Sequence, residues 1–141
     1  MKNETRVIVL KKGDEIVKSL IEYCDRESIK SAWVSGLGAL SDVTLALYQL
    51  DSKSYSRSTL KGDYELLMLN GNIGKLEGKT TAHLHATVSD RQMKALGGHL
   101  DSAIVAATCE LKLEILESEI KRKYDDSIGL NLIQGDSDGQ E

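Results

Sequence analysis

Thr81-Ala82-His83-Leu84-His85-Ala86-Thr87-Val88, followed shortly by Gly97-Gly98-His99, holds all three histidines of the chain. Successive side chains of an extended strand point to opposite faces. His83, His85 and Thr87 therefore share one side, and Ala82, Leu84, Ala86 and Val88 line the other. One face carries chemistry and the other is built for a core.

Working outward from this strand, the chain divides into further extended pieces and one helix. Arg6 to Lys11 reads as a first strand, broken by Gly13-Asp14. From Asp14, a suitable N-cap, Ile16, Val17, Leu20, Ile21 and Cys24 recur at helical spacing, which predicts an amphipathic helix over about residues 14–28. Ser31 to Leu40 and Val43 to Leu50 read as two strands joined by a tight turn at Ser41-Asp42. Tyr55 to Lys61 suits an edge strand. Tyr64 to Ile73 is apolar enough in its middle for a central strand buried on both faces. Ser89 to Leu96 reads as a polar excursion, after which Ala103 to Leu116 returns as a long strand with Leu111, Leu113 and Ile115 inward. The alternation favours extended structure over helix for most of Glu114 to Lys123, and Ile128 to Ile133 adds a short last piece. The fold class predicted is α+β, a mostly antiparallel sheet with one main helix. Residues 1–133 form a single domain on this reading, and residues 134–141, without one apolar side chain, form a disordered acidic tail.

Composition narrows the function classes. A chain of 141 residues is long enough to bury about two-thirds of its unfolded surface without staples. Cys24 and Cys109 are the only thiols, and without a CxxC pair or a signal peptide they favour small core residues in a reducing cytoplasm. No window approaches the roughly 18–20 apolar residues of a membrane span. The net charge of −4 disfavours direct grip on nucleic acid, which is held through basic side chains.

Two histidines at i and i+2 on a strand stand about 6.6 Å apart along the backbone, within reach of one ion. His99, after two glycines that leave room around the imidazole, is the third candidate ligand. His83, His85 and His99 are thus read as a site for zinc or another divalent transition metal, against the alternative of hydrogen-bonding roles without metal. Three imidazoles leave a coordination position open for a small anionic ligand or for Lewis-acid chemistry. Glu65 and Glu110, on strands that could neighbour the site, are candidates for supporting hydrogen bonds or a fourth ligand. Gly36-Leu37-Gly38-Ala39 lacks the third glycine of a dinucleotide turn and reads as a close-packed turn. Lys121-Arg122-Lys123, followed by Asp125-Asp126, reads as solvated surface.

Gly38-Ala39-Leu40-Ser41-Asp42-Val43, Gly62-Asp63-Tyr64-Glu65-Leu66-Leu67, His83-Leu84-His85-Ala86 with Ser89-Asp90, and Gly97-Gly98-His99-Leu100 together resemble the successive signatures of the PPC domain, the plant and prokaryote conserved domain. The resemblance runs from about residue 5 to 133. It implies an α+β fold assembled as a homotrimer, with the histidines in or near a pocket at the subunit boundary and metal there in some members. Plant relatives attach AT-hooks with an Arg-Gly-Arg-Pro core, and there the hook makes the DNA contact. The present chain contains no proline and hence no such core. The DNA association that the resemblance implies therefore requires a partner.

Two functions follow: a trimeric binding or regulatory module whose histidine pocket holds metal, a small anion or both; or a small metal-dependent enzyme of hydrolase or lyase type. The first is favoured, because no residue reads as a general base. Strand geometry adds one expectation. If Thr81 to Val88 pairs with Ala103 to Cys109 so that Val88 lies opposite Leu100, His99 falls about 13 Å along the sheet from His85. That is too far for one ion: either the Ser89 to Gly98 excursion folds back over its own strand or, the favoured alternative, His99 completes a site with the histidines of a neighbouring subunit.

Overall fold

The computed structural model describes residues 4–135. The predicted class is observed. Eight strands, β1 (Thr5–Lys11), β2 (Ala32–Gln49), β3 (Ser54–Leu60), β4 (Tyr64–Leu76), β5 (Lys79–Ser89), β6 (Ala95–Ile115), β7 (Lys121–Asp125) and β8 (Leu130–Ile133), accompany one helix, α1 (Ile16–Arg26). All strand pairings are antiparallel except that of β4 with β7. The sheet runs β3-β2-β6-β5-β4-β7-β8, and β2 also pairs with β4, so β2, β6, β5 and β4 form a closed circuit of hydrogen-bonded strands. The core lies on the inner side. Leu84, Ala86 and Val88 of β5 meet Leu66, Leu69 and Ile73 of β4, Val34 and Leu40 of β2, and Leu111 and Leu113 of β6 there, all of them buried.

α1 covers this core with Ile16, Leu20 and Cys24, each fully buried. Its N-cap is Glu15 rather than the expected Asp14. The Glu15 carboxylate accepts from the Val17 and Lys18 backbone N–H groups, and also from Ala103 N–H at 3.0 Å, tying the helix start to β6. Asp14 instead closes the preceding turn by accepting from Lys11 N–H at 2.8 Å. Both thiols are free and buried, and burial pushes each up to about 11, which leaves them unreactive.

Several expectations are corrected. Ser31–Leu40 and Val43–Leu50 are not two strands with a turn: they belong to the single strand β2, which bends at Asp42 (φ 47°) where its register with β6 slips. Gly36 and Gly38 are close-packed, but within that strand. A Cβ at Gly36 would run into the Glu110 carbonyl oxygen and one at Gly38 into that of Thr108, so glycine is what lets β2 lie between β4 and β6. β4 is buried on both faces only from Gly71 to Gly74, not over its first half. A bulge between Leu66 and Met68 turns two consecutive residues outward, leaving Leu67 52% and Met68 62% exposed. The excursion after β5 is shorter than read: Asp90 accepts from the Gln92 and Lys94 N–H groups in a tight turn, and β6 begins at Ala95. The proposed acidic tail falls, from residue 136 on, outside the described residues. Among the described residues, no helix is long and apolar enough to cross a membrane.

Candidate metal centre

The early start of β6 decides the site. β5 pairs with its first residues so that Val88 faces Leu96 and His85 faces His99. The expected register, with Val88 opposite Leu100, is four residues off, and the 13 Å gap it implied disappears. Gly98 permits the fit: a Cβ there would stand 2.9 Å from the Ala46 carbonyl oxygen of β2. Because Leu84 and Ala86 point into the core, His83 and His85 project from the outer face. Directly opposed residues project from the same face, so His99 joins them. The three rings lie 5.1 Å (His83 to His85), 5.5 Å (His83 to His99) and 5.9 Å (His85 to His99) apart, centre to centre. One nitrogen from each falls within 4.8 Å of the others. A single chain therefore supplies all three, and no neighbouring subunit is needed to complete the set.

Glu65 and Glu110 are not brought to the cluster. Glu65 lies opposite Ser89, at the far end of the β4–β5 ladder from His83, and Glu110 lies opposite Val9 and Leu37, eleven residues along β6 from His99. Eleven residues at about 3.3 Å each is some 36 Å along β6 for Glu110, and Glu65 is four residues along the ladder from the His85 pairing. Among the described residues neither carboxylate joins the group that could hold one ion.

In their place stand Arg122, which the sequence assigned to solvated surface, and Tyr55, to which it gave no role in the site. Arg122 on β7 reaches across β4: its Nη2 donates to Asn72 Oδ1 at 2.8 Å and to His83 Nδ1 at 3.3 Å, while Nη1 donates to the Asn131 carbonyl oxygen at 2.9 Å. Lys121-Arg122-Lys123 is thus not simply solvated surface. Tyr55 of β3 lays its ring 4.9 Å from that of His99. No spacing rule pointed to either. The parallel pairing of Leu76 with Arg122 is what brings β7 to the site.

Burial favours the neutral form of two of the imidazoles, His83 and His99. Burial first, then the Arg122 guanidinium, pushes His83 from the usual 6.5 down to about 4. Burial also lowers His99, helped by His85, and lowers Arg122. Neutral imidazole is the ligating form. The donor set fits a late first-row ion: three nitrogens, with no carboxylate in the group. His99 Nδ1 is buried without a hydrogen-bond partner among the described residues, as a nitrogen set aside for another role would be. Nitrogens about 2.0–2.1 Å from one ion stand at most about 4 Å apart, so the rings must draw in by about 1 Å.

The model of the Plants and Prokaryotes Conserved domain matches residues 2–117 of this chain. Among solved structures, a candidate DNA-binding protein from Bacteroides thetaiotaomicron is 32% identical, with a TM-score of 0.89 over 92% of this chain and 91% of that one. A plant- and prokaryote-conserved protein from Pyrococcus horikoshii is 27% identical (TM-score 0.87; 94% and 92% covered). A metal-containing protein from Archaeoglobus fulgidus is 26% identical (TM-score 0.86; 94% of each chain). No curated protein matches the sequence.

Proposed function

Because this chain belongs to the Plants and Prokaryotes Conserved domain family, we propose that it is a self-assembling binding module in which His83, His85 and His99 hold a divalent transition metal, zinc being the best chemical fit. The observation that carries this reading is the convergence of three imidazole nitrogens within 4.8 Å, two of them on rings that burial keeps neutral. The metal-containing relative from Archaeoglobus supports it. A bound ion would supply an open coordination position to an anionic oxygen. The residues that bind and orient such a ligand are those of the outer sheet face. A hydrolase or lyase reading lacks a free base among the described residues: no carboxylate belongs to the histidine group, and Asp101, whose charge reaches His99, is paired with Arg57 at 3.1 Å.

Homotrimeric assembly has support in the same face. Val7, Val9, Leu37, Leu67 and Met68 are exposed, and four of them line one hollow together with Asn70, which lies opposite His85. Such a patch suits burial against another copy, and would put the metal centre near the boundary. The two buried thiols suit a reducing cytoplasm. Any DNA association, of the kind named for the Bacteroides relative, would run through a partner, given the net charge of −4.

The test is elemental analysis of protein purified without chelator, followed by a hydrolase and lyase substrate panel with and without chelator. Bound metal without turnover is expected. Chelator-sensitive turnover would instead make the protein an enzyme.

A further inference from the structure

Arg122 and the metal centre make incompatible demands on His83. A guanidinium has only donors, so the 3.3 Å contact from Arg122 Nη2 to His83 Nδ1 requires a lone pair on Nδ1. The proton of the neutral ring then sits on Nε2. A histidine that binds metal does the reverse: one nitrogen gives its lone pair to the ion while the other donates its N–H to an acceptor. If Nε2 ligates, Nδ1 carries a proton and faces an N–H of Arg122; if Nδ1 ligates, Arg122 is displaced from it. Either way, metal loading breaks this hydrogen bond.

The broken bond leaves Arg122 with two needs. Its Nε is already buried without a partner among the described residues, and Nη2 loses one of its two acceptors. A fixed positive charge is also left beside a divalent cation in a half-buried place. A carboxylate answers both, because its two oxygens match the guanidinium fork and its charge offsets the two cations. The space for the rest of such a molecule is present. His83 and Arg122 share a cavity of about 390 Å³ with Tyr55, Leu76, Ala82 and Leu130, within the size range of small-molecule sites. Thr81 and Asn131 also line it, but most of the remaining wall, Leu132 included, is apolar or aromatic.

We infer that the ligand of this site is a small monocarboxylate with an apolar body, held between the histidine centre and Arg122, and that metal and carboxylate bind cooperatively. This rests on the proposed metal-binding role of the three histidines. Arg122 opposes the metal when alone and favours it once the carboxylate is present.

Zinc titrations of the full chain against a competing chromophoric chelator test this, with no added anion, with acetate, with valerate and with inorganic phosphate. In the wild type, valerate is expected to tighten zinc binding by about tenfold, a typical coupling between sites, and acetate and phosphate by less. Arg122→Gln is expected to bind zinc about tenfold tighter than wild type without anion, because a nearby like charge is gone, and to lose the response to valerate. Arg122→Lys keeps the charge without the fork, and should retain the weak zinc binding yet lose the response. Equal zinc affinity in all three proteins, unmoved by any anion, would overturn the inference while leaving the metal site standing. Phosphate acting as strongly as valerate would overturn the assignment of an apolar body. Absence of zinc binding in every protein would remove the metal reading itself, and this inference with it.

Discussion

His85 and His99 stand directly opposite each other on the β5–β6 ladder, with ring centres 5.9 Å apart. Since His83 lies two residues from His85 on the same face, one chain assembles the whole group. The first prediction follows from this. Chains carrying His83→Ala and His85→Ala, mixed with chains carrying His99→Ala under conditions where subunits exchange, should not regain metal. Recovery of metal in the mixture would show that a neighbouring subunit supplies a ligand.

The lowered His83 sets the sign of a pH effect. Its folded value of about 4 lies below the usual 6.5, so between these values the unfolded chain binds the extra proton and the folded one does not. Stability is therefore highest above about 6.5 and falls as pH drops toward 4. His99, lowered in the same direction, adds to the trend. Denaturant melts of metal-free protein from pH 7 to 4 should show the decline, and His83→Gln should make it shallower. An identical slope in the variant would contradict the assignment. In Arg122→Gln, the His83 midpoint read by NMR should rise, yet remain below 6.5, because burial is the larger cause.

Gly71 lies beneath the site. A Cβ there would collide with the His83 carbonyl oxygen and crowd the Leu84 Cα at 2.8 Å, both backbone atoms that cannot swing aside. Gly71→Ala should cost about 3 kcal/mol, the upper range for overpacking, and should weaken metal binding by shifting β5. Gly135→Ala, where a Cβ meets nothing within 4 Å, should stay within about 0.5 kcal/mol of wild type. Equal melting midpoints for the two variants would refute the close approach.

For nucleic acid, the net charge of −4 predicts DNA binding by the purified protein no tighter than about 10 μM at physiological salt, in the non-specific range. Fluorescence anisotropy with labelled duplexes measures it. Nanomolar, sequence-selective binding would overturn the view that a partner makes the contact.

What could be read in the sequence was local. Period-two alternation in Thr81 to Val88 identified the strand and its chemical face, and helical spacing from Ile16 to Cys24 identified the helix. Register was not local. Gly97-Gly98 looks like loop, and nothing nearby says that Ala95 to His99 continues a strand of 21 residues. Gly36 and Gly38 resembled a turn because the three-strand approach that requires them involves Glu110 and Thr108, some seventy residues away. Arg122 was hidden for the same reason. Flanked by lysines and followed by aspartates, it reads as surface until β7 is laid beside β4.

The central claim is that three histidines of one chain hold a divalent metal. The most direct measurement is zinc stoichiometry, by titration of metal-free wild type and of His99→Ala, the variant farthest in sequence from the other two ligands. About one tightly bound ion per wild-type chain, and at least a hundredfold weaker binding in the variant, is the predicted result, on the scale of losing one ligand from a three-histidine site. Equal zinc affinity in the two proteins would contradict it.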